Sequence, residues 1–89
     1  KKELVELKID ASTYQFSARI EIDYLNEKYK LHLPESDEYE TLGGYVINIH
    51  ESIPEKNEII ATEKFVFTIN KVSNNKIDLI TVVQLDKKV

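Results

Sequence analysis

The two glycines of this chain stand side by side, Gly43-Gly44, where an amphipathic segment begins. Glycine inside a helix costs roughly 1 kcal/mol against alanine, so a pair in a chain with no other glycine implies that backbone must come close to something. Leu42, Tyr45 or Val46, and Ile49 recur at helical spacing and predict a helix from about Thr41 to Glu51, with these residues on its buried stripe. Thr41 or a neighbouring acid serves as the N-cap. His50 falls in the last turn, where the dipole favours a protonated imidazole. Ser52-Ile53-Pro54 then ends the helix, with Ile53 expected beneath it.

Upstream, Val5, Leu7 and Ile9 alternate with polar residues, and Asp10-Ala11-Ser12 reads as a turn. Tyr14, Phe16, Ala18 and Ile20 alternate with Gln15, Ser17 and Arg19, the mark of a half-buried strand. Ile22, Leu25 and Tyr29 then shift to helical spacing, predicting a short helix to about Lys30. Pro34 blocks its continuation. Beyond Glu55-Lys56-Asn57, strands are expected at Glu58–Thr62, Phe65–Val72 and Ile77–Leu85, the last with Ile77, Leu79, Thr81 and Val83 on one face. Asn74-Asn75 supplies a tight hairpin, because asparagine tolerates the left-handed conformation. The expected fold class is α+β, an antiparallel sheet with two helices packed on one face.

The composition, 42% hydrophobic and 31% charged in 89 residues, is that of one globular domain. A chain of this length buries about 60–65% of its unfolded surface, so its core is thin. With no cysteine, disulfides and thiolate chemistry are excluded. The net charge of −4 and the scattered lysines argue against nucleic acid as a partner. The chain contains no methionine, which leads us to expect a piece of a longer protein.

Few residues have the types and spacing that chemistry needs. Thr41, Gly43 and Gly44 are the candidates for a cofactor or anion cradle, since a helix start presents N–H groups. No Gly-x-Gly-x-x-Gly follows a strand, no basic residue is expected near the pair to meet a pyrophosphate, and Asp37, Glu38 and Glu40 would repel a phosphate. Close backbone packing is therefore the preferred reading. Asp37, Glu38 and Glu40, with Glu35, are the candidate oxygen ligands for a divalent cation, although acids before a helix also serve its dipole. His32 and His50 have no acid at a catalytic spacing, and none of the serines lies in a nucleophile elbow. No catalytic residue is assigned. Tyr24, opposite Ile22 and Leu25 around the first helix, is the candidate for an exposed partner contact.

Tyr39-Glu40-Thr41-Leu42-Gly43-Gly44, with Ile53-Pro54 about one helix length later, resembles the CorC/HlyC transporter-associated domain. The resemblance runs from about Ser12 to Leu85. It departs from the family pattern at Ala18-Arg19, where a glycine and a basic residue are common, and at Asn57, where glycine is preferred. It implies a single domain over residues 1–89, lying after a paired CBS module and a transmembrane domain of the same protein. That protein would be a magnesium and cobalt efflux or hemolysin-like ion transporter, homo-oligomeric, with this domain at the cytoplasmic face of a bacterial inner membrane. The implied role is non-catalytic, regulatory and exerted through domain contacts, with no cofactor required. The fold's likeness to part of a flavin-binding domain implies the alternative, a sensor for flavin adenine dinucleotide (FAD) or an adenine nucleotide.

Overall fold

In the computed structural model, which describes residues 3–85, the chain forms β1 (Glu6–Lys8), β2 (Thr13–Ser17), α1 (Ile22–Tyr29), α2 (Leu42–His50), β3 (Ile59–Ala61), β4 (Phe65–Ser73) and β5 (Lys76–Gln84). The strands join one antiparallel sheet in the order β1-β2-β5-β4-β3. Both helices lie on one face, as expected. Alternation in the strands supplies the floor of the core with Tyr14 and Phe16, Phe65, Phe67 and Ile69, and Ile80 and Val82. Ile22 and Leu25 of α1 and Leu42, Tyr45 and Val46 of α2 close it from above. Burial of each large aliphatic side chain contributes about 1.5–3 kcal/mol, which makes this shared core the main cohesion of the fold.

The expected alternation of Ile77 with Leu79 is broken. Ile69 faces Ile80, Lys71 faces Leu79, and Val72 faces Ile77, so first Asn70 and then Asp78 is an extra residue in its strand. The double irregularity brings Ile77 into the core with Ile80 and Val82, while Leu79 and Thr81 take the opposite face. At the hairpin tip Asn74 and Asn75 have φ of 41° and 63°, the left-handed pair a two-residue turn requires. Asn57 also has a positive φ, 72°.

β2 ends at Ser17, short of the expected Ile20, although the amide of Ala18 still donates to the Asp78 carbonyl. α1 closes on Lys30 in the left-handed conformation, and α2 closes on Glu51 in the same way. Two burial expectations fail. Ile49 has the right angle around α2 but lies in its final turn, where it is only partly covered, and it is 36% exposed. Ile53 is 39% exposed, and Pro54 takes the buried place instead. A proline ring fits under a chain leaving a helix without needing an amide partner.

The sheet's other face has no helix. Its middle row runs Leu7, Gln15, Thr81, Thr68, Ile59 across all five strands. A second row runs Thr13, Val83, Val66, Ala61, with Ile9 beside Thr13. The third joins Ser17, Leu79 and Lys71, with Val5 bonded to Ser17. Directly paired residues share a face, so β1 is inverted: Leu7 points away from the helices, and Glu6 and Lys8 point toward them.

Candidate functional site

The start of α2 is fastened to the end of β2. The amides of Leu42 and Gly43 donate to the carbonyls of Ile20 and Ala18 at 2.9 and 2.8 Å, and the amide of Gly44 donates to the Thr41 hydroxyl at 3.1 Å. A methyl group on Gly43 would stand 2.9 Å from the Ala18 Cβ, closer than carbon atoms pack. One on Gly44 would meet the Thr41 hydroxyl and the Tyr39 Cβ, both at 3.2 Å. Gly43 therefore permits the approach to β2. Gly44 permits the chain to fold back on its own capping segment.

Beside this contact lies a groove of about 490 Å³ lined by Thr41, Gly43, Gly44, Ile47 and the ends of β2 and β5. Arg19 and Lys76 stand at its edge with Asp78. The expectation that no basic residue comes near the glycine pair is thus corrected: neither is adjacent in sequence, but the hairpin and the β2 end bring both there. The first three helix amides are already bonded within the chain. A phosphate in the groove would rely on the two basic side chains.

The candidate metal ligands do not converge. Asp37 and Glu38 are exposed in the turn between Ser36 and Tyr39, and Glu38 accepts from the Asn48 amide at 3.2 Å. Glu40 lies apart, lining a hollow of about 360 Å³ with Glu21, Asp23 and Glu35. Among the described residues no three acids or histidines stand close enough to share an ion. Of the remaining motif residues, Tyr39 donates to the Pro34 carbonyl at 2.7 Å, and Leu42 is fully buried.

Two polar clusters were not legible from spacing. His50 Nε2 lies 2.8 Å from Glu58, and its Nδ1 lies 3.0 Å from the Ser52 hydroxyl and 3.1 Å from the Ser52 carbonyl. This places an acid on His50 that local spacing did not offer. The Glu58 bond, with the Ser52 carbonyl adding to it, raises the imidazole above its ordinary pKa. Glu58 is lowered, first by the Glu55 amide and then by His50. The exposed serine and the competing carbonyl make this a clasp between the end of α2 and the residue that leads into β3.

Glu6 of β1 accepts from Lys28 at 2.8 Å, Tyr29 at 2.7 Å and Tyr24 at 2.9 Å. Lys28 and then Tyr29 hold its carboxyl below the usual range, while burial and then Glu6 raise Tyr29. Tyr24 is 42% exposed, but its hydroxyl serves this tie between β1 and α1.

The fold and its fastenings define a small α+β domain. The chain matches the family model of the transporter associated domain, CorC_HlyC, over residues 7–86, and it belongs to that family. This is a transporter-associated family rather than a known catalytic one. The fold is shared with a putative Mg²⁺ and Co²⁺ transporter (CorC) associated region from Neisseria meningitidis, at TM-score 0.79 and 20% identity, covering 90% of this chain and 98% of that one. It is shared with the CorC_HlyC domain from Nitrosomonas europaea, at TM-score 0.77 and 24% identity, covering 93% and 99%. A third similar structure is the transporter associated domain of a CBS domain protein from Porphyromonas gingivalis, at TM-score 0.72 and 21% identity, covering 89% and 95%. No curated protein matches the chain. No helix of the described residues is long and apolar enough to cross a membrane.

Proposed function

We propose that this chain is a non-catalytic regulatory domain of a CBS-domain ion transporter, of the divalent-cation, magnesium and cobalt efflux type. It works at the cytoplasmic face of a bacterial inner membrane through contacts with the CBS module and the transmembrane domain of the same protein. The observation that carries this reading is membership of the transporter associated family over residues 7–86. The polar clusters of the described residues support it, since each ties one element to another. Regulation requires only that docking differ in free energy between transport states, by about 1–3 kcal/mol. Deleting this domain from its parent and measuring ion flux in vesicles tests the proposal. A changed ion or nucleotide dependence is expected, and unchanged flux under every condition would overturn it.

A second reading is favoured by the groove beside Gly43 and Gly44, where Arg19 and Lys76 could hold the pyrophosphate of FAD or the phosphates of an adenine nucleotide. No cofactor is required by the regulatory reading. Calorimetric titration of the chain with FAD, ATP and AMP separates the two. Saturable heat that disappears in Arg19→Ala and Lys76→Ala establishes the sensor.

A further inference from the structure

We propose that the helix-free face of the sheet is a dimer surface, and that its occupant is the same face of a second copy of this chain. The inference rests on the pattern of that face and holds whatever ion the parent moves.

In a chain that is 31% charged, the three rows of this face carry one charged residue, Lys71, at a corner, and the other charges, Glu3, Arg19, Lys76 and Asp78, line a hollow along the outer side of the third row. Its aliphatic residues stand in the open at both edges, Leu7 at 52% and Ile59 at 65% exposure. At the centre, Asn70 accepts from Thr81 at 2.7 Å and from Gln15 at 3.3 Å, so these three side chains are tied to one another within the chain. An uncharged centre with charge at the rim is the anatomy of a protein interface. The inversion of β1 adds to this, because it places Leu7 outward at the cost of an edge that is not protected by charge on that side.

A second copy fits because the pattern is self-complementary. Rotation by two-fold symmetry about an axis parallel to the strands lays the order β1-β2-β5-β4-β3 over its own reverse. In the middle row Leu7 then meets Ile59 of the other copy, Gln15 meets Thr68, and Thr81 meets itself: aliphatic on aliphatic, amide on hydroxyl, hydroxyl on hydroxyl. Lys71 meets Ser17 rather than its own mate. The chain's net charge of −4 disfavours association through its acidic surfaces, and this face escapes that penalty. Five strands about 4.8 Å apart and three rows about 7 Å apart give a footprint of about 24 by 20 Å, or roughly 1,000 Å² for two copies. That is the lower bound for a specific interface, so a modest, concentration-dependent dimer is expected. Two sheets stacked at about 10 Å with their strands roughly aligned is an ordinary packing.

Sedimentation velocity over a range of concentrations tests this, with circular dichroism as the control for folding. The chain is expected to shift from its 10.4 kDa monomer toward twice that mass. Leu7→Glu and Ile59→Lys, each at a position more than half exposed, should each weaken the dimer about tenfold or more while leaving the fold intact. The double variant should recover much of the loss, because the two-fold places each new carboxylate against the partner's new ammonium. A chain that stays monomeric throughout overturns the proposal. So does a dimer indifferent to both single substitutions, or a double variant no tighter than the weaker single. If the face is instead protected from hydrogen exchange only when the neighbouring domain of the parent is attached, a different domain covers it and the second copy is excluded.

Discussion

The amide of Gly43 donates to the carbonyl of Ala18 at 2.8 Å, and in the same contact a methyl group on Gly43 would stand 2.9 Å from the Ala18 Cβ. The two residues hold helix and sheet at one separation. With the Ala18 Cβ in place, the contact has no room for a second methyl group.

Gly43→Ala should therefore destabilise the fold by about 1–3 kcal/mol through overpacking. Ala18→Gly in the same chain should recover part of that loss, giving a coupling that separated sites do not show. Urea denaturation of the four members of the cycle measures it. Additive losses would mean that the two residues do not share one space.

Gly44→Leu should cost well over about 1 kcal/mol by displacing Tyr39 and the Thr41 cap, whereas Glu38→Gln should change little. Thermal melts of the two variants are sufficient. A Gly44→Leu chain as stable as the parent would remove the fold-back argument.

The His50–Glu58 clasp predicts a pH window. His50 is raised above its ordinary 6.5, so its contribution is full below that value and is lost as pH rises through the folded pKa. Glu58 is lowered below its ordinary 4.5, so its contribution is present above that value and is lost as pH falls through the folded pKa. The clasp is strongest between the two, near pH 5 to 6. His50→Gln should narrow the stability difference between about pH 5.5 and pH 8, and equal slopes of parent and variant would refute the assignment.

Glu6→Ala leaves three donors of α1 without their acceptor, at a cost of about 1 kcal/mol for so exposed a cluster. The loss should concentrate in β1. Amide exchange of Glu6 to Lys8 should quicken while that of β4 and β5 stays the same, and uniform loss of protection would contradict a local tie.

Asn57 has a φ of 72°, a conformation that costs an ordinary side chain about 1–2 kcal/mol. Asn57→Ala should destabilise by about that amount. Asn57→Gly should be neutral or slightly stabilising, and denaturant midpoints distinguish the two.

Much of this fold was legible because its signals are local. Phe65, Phe67 and Ile69 and Tyr14 and Phe16 alternate with the period of a strand, Asn74-Asn75 carries the backbone freedom a hairpin needs, and Thr41 caps by reaching three residues ahead. Each of these depends on neighbours within a few positions. The Gly43-Gly44 pair announced a close approach in the same way.

Local patterning was enough to set the order and type of the elements, their turns, and a close approach of backbone at Gly43-Gly44. Packing of the whole domain made Ala18 the partner in that approach, left Ile49 and Ile53 exposed while burying Pro54, and used bulges at Asn70 and Asp78 to turn Ile77 into the core. It alone brought Arg19 and Lys76 to the glycine groove, set Glu58 on His50, and turned the aliphatic side of β1 outward. The reason is physical: periodicity records which face of an element is apolar, but which face meets which neighbour depends on register, bulges and chain crossings, and those are settled by the packing of the whole domain.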